Sequence, residues 1–412
     1  MLTLNTLYFF VFLLTGLSCN NTTLVDQSSA TENVVSKPPS KDGLQIITGA
    51  MQTDKYVPLL KGLRVGLLVN STSMVAEQHL VDLLREKKVN VTTIFAPEHG
   101  FRGDADAGAE IANTIDKATG LPVISIYGKK KAPTGEDLAN VDAVIFDVQD
   151  VGARFYTYLS TLKYLMEACA EFKKPLLVLD RPNPNGHYVD GPILESGYES
   201  FIGIIPIPIV HGMTLGELAY MMNGEGMLKN KVKCELKVIQ CQNYDHQKTY
   251  ILPVKPSPNL PNQLSIMLYP SICLFEGTNF SLGRGTDKQF QVYGSPVAKV
   301  GDFYFTPVPK PGAMSPFLQG KKCRGFDLSN LSPDKVKSEA RINLSYILEA
   351  YRSYPDKSNF FLKNNFINNL AGNSKFQQQI KDGLNEAQIR ASWQTGLDNF
   401  KIIRKKYLLY PN

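Results

Sequence analysis

The run FAPEHGFRGDADAG at residues 95–108 places Glu98, His99, Arg102, Asp104 and Asp106 among glycines and alanines, directly after an apolar stretch that stops at Pro97. A solvated turn, a cation site and a proton-transfer site can all be built from such residues. The proline limits the freedom of the loop, and Gly100 lets backbone approach a ligand closely, which suits a rigidly held carboxylic acid at Glu98 with His99 beside it. Other chemistries find less. No G-x-S-x-G elbow exists for a serine nucleophile. The histidines His79, His99, His187, His211 and His246 are scattered, without H-E-x-x-H spacing. The one carboxylate set that could hold a cation is Glu98, Asp104 and Asp106, and no metal is expected. No Walker A or G-x-G-x-x-G follows the first predicted strand, so no nucleotide or other cofactor is expected either. Carboxylate chemistry remains. Glycoside hydrolysis needs a carboxylic acid near the leaving oxygen and usually a second carboxylate across the bond. LFEGTNFSLGRGTD supplies Glu276, Asn279, Arg284 and Asp287 in another Gly-rich segment, a candidate facing wall.

These residues need a scaffold, and the hydrophobic pattern provides one. LRVGLLVN, VNVTTIFAP, LPVISIYG, VDAVIFDVQ, KPLLVLD and CELKVIQC read as strands. EQHLVDLLREKK, FYTYLSTLKYLMEACAEF and TLGELAYMMNGEG read as helices, the last opened by Thr214 with Glu217 three residues on. The alternation predicts an α/β fold: a Rossmann-like, mostly parallel sheet flanked by helices, over residues 44–250. In such sheets ligands bind outside the carboxyl ends of the strands. Four polar segments leave those ends. They carry Asn70, then Glu98 and His99, then Asp150 and Arg154, then Asp180, Arg181 and Asn183. A single such loop would mean little, because turns and caps use the same residues. Asp180 and Arg181 could simply pair with each other.

After residue 250 the prolines of LPVKPSPNLPN and FTPVPKPGAMSP end the regular alternation. Residues 251–412 are expected to form a smaller α+β domain that completes a cleft, with helices near 333–353 and 374–392. The first 19 residues form an apolar segment ending at Cys19, similar to a lipoprotein signal in which that cysteine is lipidated. They depart from the pattern at Gly16 and Leu17 and in lacking an early Lys or Arg. Residues 20–43 are polar and aperiodic, as a flexible tether would be. The expectation is a secreted protein, lipid-anchored to a bacterial membrane and facing the periplasm. Cys169, Cys234, Cys241, Cys273 and Cys323 lack metal spacing; Cys234 and Cys241 could pair or stay free. With 412 residues, 43% hydrophobic, the chain can bury a large core. The formal charge of +6 comes without a basic stripe interleaved with aromatics, which argues against a nucleic-acid partner. The basic tail KIIRKKYLLY reads as a solvated helix face.

The long motifs FAPEHGFRGDADAG, FDVQDVGARFYTY, LDRPNPNG, HGMTLGELA, PSPNLP, YPSICLFEGTNFSLGRGTD and KKYLLYP occur in that order from about residue 43 to the C-terminus. Together they resemble the NamZ-type exo-β-N-acetylmuramidases. That resemblance implies a Rossmann-like domain with a smaller C-terminal domain, an active site in the cleft between them, and release of N-acetylmuramic acid from the non-reducing end of peptidoglycan fragments, without metal or nucleotide. Carried over by motif, Glu98 is the catalytic acid. Glu276 and Asp150 are candidates for the second group, unless the substrate's N-acetyl group assists and no protein nucleophile is needed. N-acetylmuramic acid carries a lactyl carboxylate, for which a guanidinium is the best partner. Arg284, Arg154 and Arg102 are the options. Tyr156, Asn183 and Asn279 could bond to sugar hydroxyls or the acetamido group, and Tyr156 or Tyr158 could stack on the ring. Lys255, where proline is usual, is the one departure in these motifs. The implied partners are muropeptides and a membrane. The competing reading is a lipid-anchored amino-sugar-binding protein without catalysis, for which Glu98 would be unnecessary; a third is hydrolysis of another amino sugar or an amide.

Overall fold

The computed structural model describes residues 44–101 and 112–412. Arg102, Asp104, Asp106, Cys19 and the expected signal and tether lie outside the described residues. A short helix α1 (Thr53–Tyr56) precedes β1 (Arg64–Val69), a small hairpin of β2 (Met74–Val75) and β3 (Gln78–His79), helix α2 (Leu80–Glu86) and β4 (Asn90–Ala96). Then follow β5 (Thr114–Ile115), β6 (Pro122–Ser125), β7 (Ala143–Asp147), helix α3 (Tyr158–Glu171), β8 (Leu176–Leu179), helix α4 (Leu215–Gly224) and β9 (Leu236–Ile239). Seven of these strands form one sheet in the order β5-β6-β4-β1-β7-β8-β9, parallel except for the β5–β6 pair. Its six parallel strands follow the Rossmann order, which reverses direction at β1.

The strands are rich in β-branched and leucine residues and are buried on both faces, as a parallel sheet covered by helices requires. Their side chains alternate between two cores. Leu68, Val144, Phe146, Leu176 and Val178 face the core that contains α3 and α4. Val65, Leu67, Val69, Ile145, Leu177 and Leu179 face the core that contains α2 and Tyr56. Helix α4 opens with the expected capping box between Thr214 and Glu217.

The C-terminal half contains α5 (Gln263–Ile272), β10 (Val292–Ser295), β11 (Phe303–Phe305), β12 (Cys323–Asp327), and helices α6 (Pro333–Glu339), α7 (Ser345–Ser353), α8 (Phe366–Ala371), α9 (Lys375–Lys381) and α10 (Glu386–Lys405). The three strands form an antiparallel sheet in the order β10-β12-β11. The apolar side chains of this half join the core of α3 and α4, which extends without interruption from Leu68 to Phe400.

Three expectations need correction. The helix predicted at 333–353 is two helices: Ala340 adopts φ +45°, and the Ile342 amide beyond it donates to Asp190 Oδ2 at 2.7 Å, so a tertiary bond replaces a helical one. The helix predicted at 374–392 is likewise split, at Gly383 with φ +76°, and its second part runs on to Lys405, through the first half of the basic tail, which is only partly a solvated face because Arg404 is buried and donates to the Gly212 carbonyl. Helix α5 has no counterpart in the sequence reading. Leu264 to Ile272 are all buried, so no polar face marks a helical period, and Pro270 lies inside. The carbonyl that the proline leaves without its helical donor, that of Ile266, accepts from Asn185 Nδ2 at 3.0 Å. All five described cysteines are free and buried, so Cys234 and Cys241 do not pair.

Candidate active site

Glu98 stands two residues beyond β4, in a turn closed by the Gly100 amide donating to the Pro97 carbonyl at 3.0 Å. His99 and Gly100 both take left-handed backbone, with φ of +68° and +76°. For a residue with a side chain that conformation is strained, and it persists only where the surroundings impose it. Glu98 and His99 are both buried. Each carboxyl oxygen of Glu98 meets a hydroxyl: Tyr127 Oη donates to Oε1 at 3.1 Å, and Thr157 Oγ1 donates to Oε2 at 2.6 Å. Tyr127 leaves the end of β6, and Thr157 is the residue before α3. Three separate elements therefore fix one carboxyl group.

The neighbouring strand exits bring further polar groups close to Glu98. From β1, Asn70 donates through Nδ2 to Tyr158 Oη at 2.8 Å, while its Oδ1 accepts from the amide and hydroxyl of Thr72. From β7, Asp150 is buried; its Oδ2 accepts from the Gly152 amide at 2.6 Å, and its Oδ1 has no hydrogen-bond partner among the described residues. Burial pushes the Asp150 carboxyl up to about 7, against the opposing pull of the Gly152 and Val151 amides. Tyr156 and Tyr158 pack edge to face with ring centroids 5.0 Å apart. Burial, followed by the charge of Glu98, raises the Tyr158 phenol well above its ordinary range. Tyr156 is raised by burial, by Tyr158 and Tyr269, and then by Asp150 and Glu98. Both phenols thus stay neutral donors within the field of two carboxyl groups. The Tyr127 ring lies 5.7 Å from that of Phe201, over which the Lys131 ammonium sits at 5.1 Å.

The structure uses several sequence candidates elsewhere. Arg154 is enclosed: its guanidinium donates to the carbonyls of Pro192, Ile207 and Leu370, so it ties three segments together rather than facing a ligand. Asp180 and Arg181 do not pair side chain to side chain. Arg181 forms a buried, two-pronged ion pair with Asp147 at 2.6 and 2.8 Å. Asp180 accepts from Thr214, Tyr410 and the Gly216 amide, which joins α4 and the C-terminal tail to the sheet. Asn183 donates to the Met213 carbonyl and accepts from the Asn185 amide. Glu276 and Arg284 neutralise each other at 2.7 Å, half-buried, with the guanidinium stacked on Phe290 at 5.0 Å. Asn279 donates to the Asn359 carbonyl at 2.6 Å. Glu98, Asn70, Asp150, Tyr156 and Tyr158 are brought together, and His99 shapes their loop. Tyr127 and Thr157 were missed. Thr157 lies in the polar segment that leaves β7 but is of a type that draws no attention in a loop, whereas Tyr127 falls inside the run LPVISIYG, assigned to a strand whose exit is not among the four polar segments.

The chain matches two family models. The one described as "Exo-beta-N-acetylmuramidase NamZ, N-terminal" covers residues 65–264, and the one described as "Exo-beta-N-acetylmuramidase NamZ, C-terminal" covers residues 267–410. It is 40% identical to the peptidoglycan β-N-acetylmuramidase NamZ of Bacillus subtilis (strain 168), over 96% of this chain and 98% of that protein. Two crystal structures of DUF1343 family proteins from Bacteroides fragilis NCTC 9343 are also similar. One has a TM-score of 0.83 at 48% identity and covers 90% of this chain and 100% of its own. The other has a TM-score of 0.75 at 29% identity and covers 89% and 99%.

Proposed function

The chain belongs to the exo-β-N-acetylmuramidase NamZ family, and from that premise we propose that Glu98 is the general acid of the reaction. The protein is an exo-acting glycoside hydrolase that releases N-acetylmuramic acid from the non-reducing end of peptidoglycan fragments. The observation that carries the assignment of Glu98 is its hydroxyl cradle. A hydroxyl can accept from a protonated carboxyl group and donate to an ionised one, so Tyr127 and Thr157 serve Glu98 before and after it gives up a proton. In the forward step that proton passes to the glycosidic oxygen as the bond to the anomeric carbon breaks, and a water molecule supplies the hydroxyl of the released sugar.

Asp150 is the better candidate than Glu276 for the second carboxyl group. Glu276 is already held by Arg284, whereas Asp150 keeps an oxygen unpartnered among the described residues and shares its tyrosine neighbours with Glu98. Its enclosure fits a supporting role, with the substrate's own acetamido group attacking the anomeric carbon. For the lactyl carboxylate, Arg154 is withdrawn because its guanidinium is spent on backbone. Lys131 joins Arg284 and Arg102 as a candidate cation, since it stands on the aromatic pair next to the acid.

Incubation with a chromogenic β-N-acetylmuraminide and with its N-acetylglucosamine counterpart tests the reading; colour is expected from the first alone. Glu98→Gln should lower kcat by ~10²–10⁴-fold with an unchanged melting temperature. Near-full activity in that variant would place the acid elsewhere. We further propose that Cys19 carries a lipid that anchors the enzyme to a membrane facing the cell wall. Labelled fatty acid should enter the wild-type protein and not Cys19→Ala, and equal labelling of both would refute the anchor.

A further inference from the structure

Ten large apolar side chains are exposed among the described residues, and five of them, Val297, Tyr304, Val308, Met314 and Phe317, fall within 21 consecutive residues, at 42–56% exposure. The same segment is basic. Residues 296–324 contain Lys299, Lys310, Lys321, Lys322 and Arg324 against a single acid, Asp302, a large share of the +6 carried by the whole chain. The side chains of this segment that are in contact on one surface are those around Tyr304 on the small sheet.

Its architecture points to the occupant. Tyr304 on the edge strand β11 lies directly opposite Arg324 on β12, so the two share one face of the sheet, and Lys322, two residues before Arg324, lies on that face as well. The Lys322 ammonium sits 4.7 Å and the Arg324 guanidinium 5.9 Å from the Tyr304 ring centroid. A half-exposed ring between two cations offers stacking to a sugar ring and charge to a carboxylate.

The segment is also fastened to the GRGTD turn and to the PSPN motif. The Val308 amide donates to the Gly285 carbonyl at 3.0 Å, in the GRGTD turn, and Lys310 pairs with Asp287 of the same turn. Asn259 of the PSPN motif donates to the Gly312 carbonyl at 2.7 Å, and Tyr156 donates to the carbonyl of Pro256 in that motif at 2.6 Å. A short series of hydrogen bonds thus leads from the tyrosines beside Glu98 to this face.

We propose that the sheet face carrying Tyr304, Lys322 and Arg324 binds the peptidoglycan strand beyond the sugar being removed, with Tyr304 stacking on a sugar ring and Lys322 and Arg324, with the adjacent Lys321, holding the carboxylates of the peptide stems. The proposal rests on the exo-muramidase reading and extends it from the terminal sugar to the rest of the chain. The test uses the full protein carrying Tyr304→Ala with Lys321→Glu and Lys322→Glu, and a second variant carrying only the two charge reversals. Co-sedimentation with purified peptidoglycan sacculi and with phosphatidylglycerol vesicles is measured beside turnover of the chromogenic muraminide. The triple variant should lose sacculus binding by about tenfold or more, the double variant by less, and both should keep chromogenic turnover within about twofold. Unchanged sacculus binding overturns the proposal, as does a loss confined to the vesicles, which would make the face a membrane contact. Failure of the wild-type protein to cleave the muraminide would refute the enzymatic reading instead, and leave sacculus binding independently measurable.

Discussion

Glu98 presents one oxygen to a phenol and the other to an aliphatic alcohol, and the strained His99–Gly100 turn behind it fixes where both oxygens point. A carboxyl group held from three elements loses little orientation when substrate arrives, which is where much of the advantage of a preorganised acid lies. Asp150 shows the opposite economy. It is buried, and burial outweighs the Gly152 and Val151 amides beside it, so the neutral form is favoured and its carboxyl is pushed up to about 7. A carboxyl raised above its unfolded value of 3.8 contributes stability that is complete below about pH 4 and is lost as the pH rises through 7. Asp150→Asn, which keeps an acceptor for the Gly152 amide and cannot ionise, should therefore lose less stability than the wild type between pH 5 and 8. Melting temperatures across that range check this, and parallel curves for the two proteins would show that Asp150 does not titrate in the fold.

Between strand and loop, the decisive device is a backbone that side chains cannot enter. Gly152, in the exit from β7, has φ +80°, and a Cβ there would sit 2.0 Å from Asn183 Oδ1. Asn183 cannot yield easily, because that oxygen accepts from the Asn185 amide and its nitrogen donates to Met213. Gly152→Ala should destabilise by about 2–3 kcal/mol or more and displace the loop that carries Asp150. Gly197 provides the comparison: its φ is +92° but nothing lies within 4 Å of a Cβ, so Gly197→Ala should cost only the backbone strain, about 1 kcal/mol. Equal losses for the two in denaturant melts would contradict the role given to the Gly152–Asn183 contact. Asn185 carries the same logic into α5, where it satisfies the carbonyl freed by Pro270. A residue of the LDRPNPNG motif is here the partner of a carbonyl freed inside a buried helix.

Across the whole molecule the last residues return to the first sheet. Tyr410 donates to Asp180 Oδ2 at 2.6 Å and accepts from the Cys241 amide at 2.9 Å, the Leu409 amide donates to Glu217 Oε1, and the His246 amide donates to the Pro411 carbonyl. Tyr410→Phe removes a donor from one buried group and an acceptor from another, and should cost about 1–3 kcal/mol. Chemical denaturation measures this; an unchanged midpoint would mean the tail does not hold the sheet edge. The sequence by itself determined the six parallel strands of the large sheet and the loops at their carboxyl ends, because a short continuous apolar run between helical patterns and a strand-exit rule are local properties that a chain displays without folding. It also singled out Glu98 through its rigid surroundings. Only the tertiary structure decided which polar residues in those loops face the site. An arginine or asparagine at a strand exit has the same local signature whether it meets a ligand or a backbone carbonyl from a segment far along the chain. Arg154, bonded to Leu370, and Asp180, bonded to Tyr410, were therefore legible as polar loop residues but not as structural ones. Tyr127 and Thr157 became visible only when three elements met around one carboxyl group.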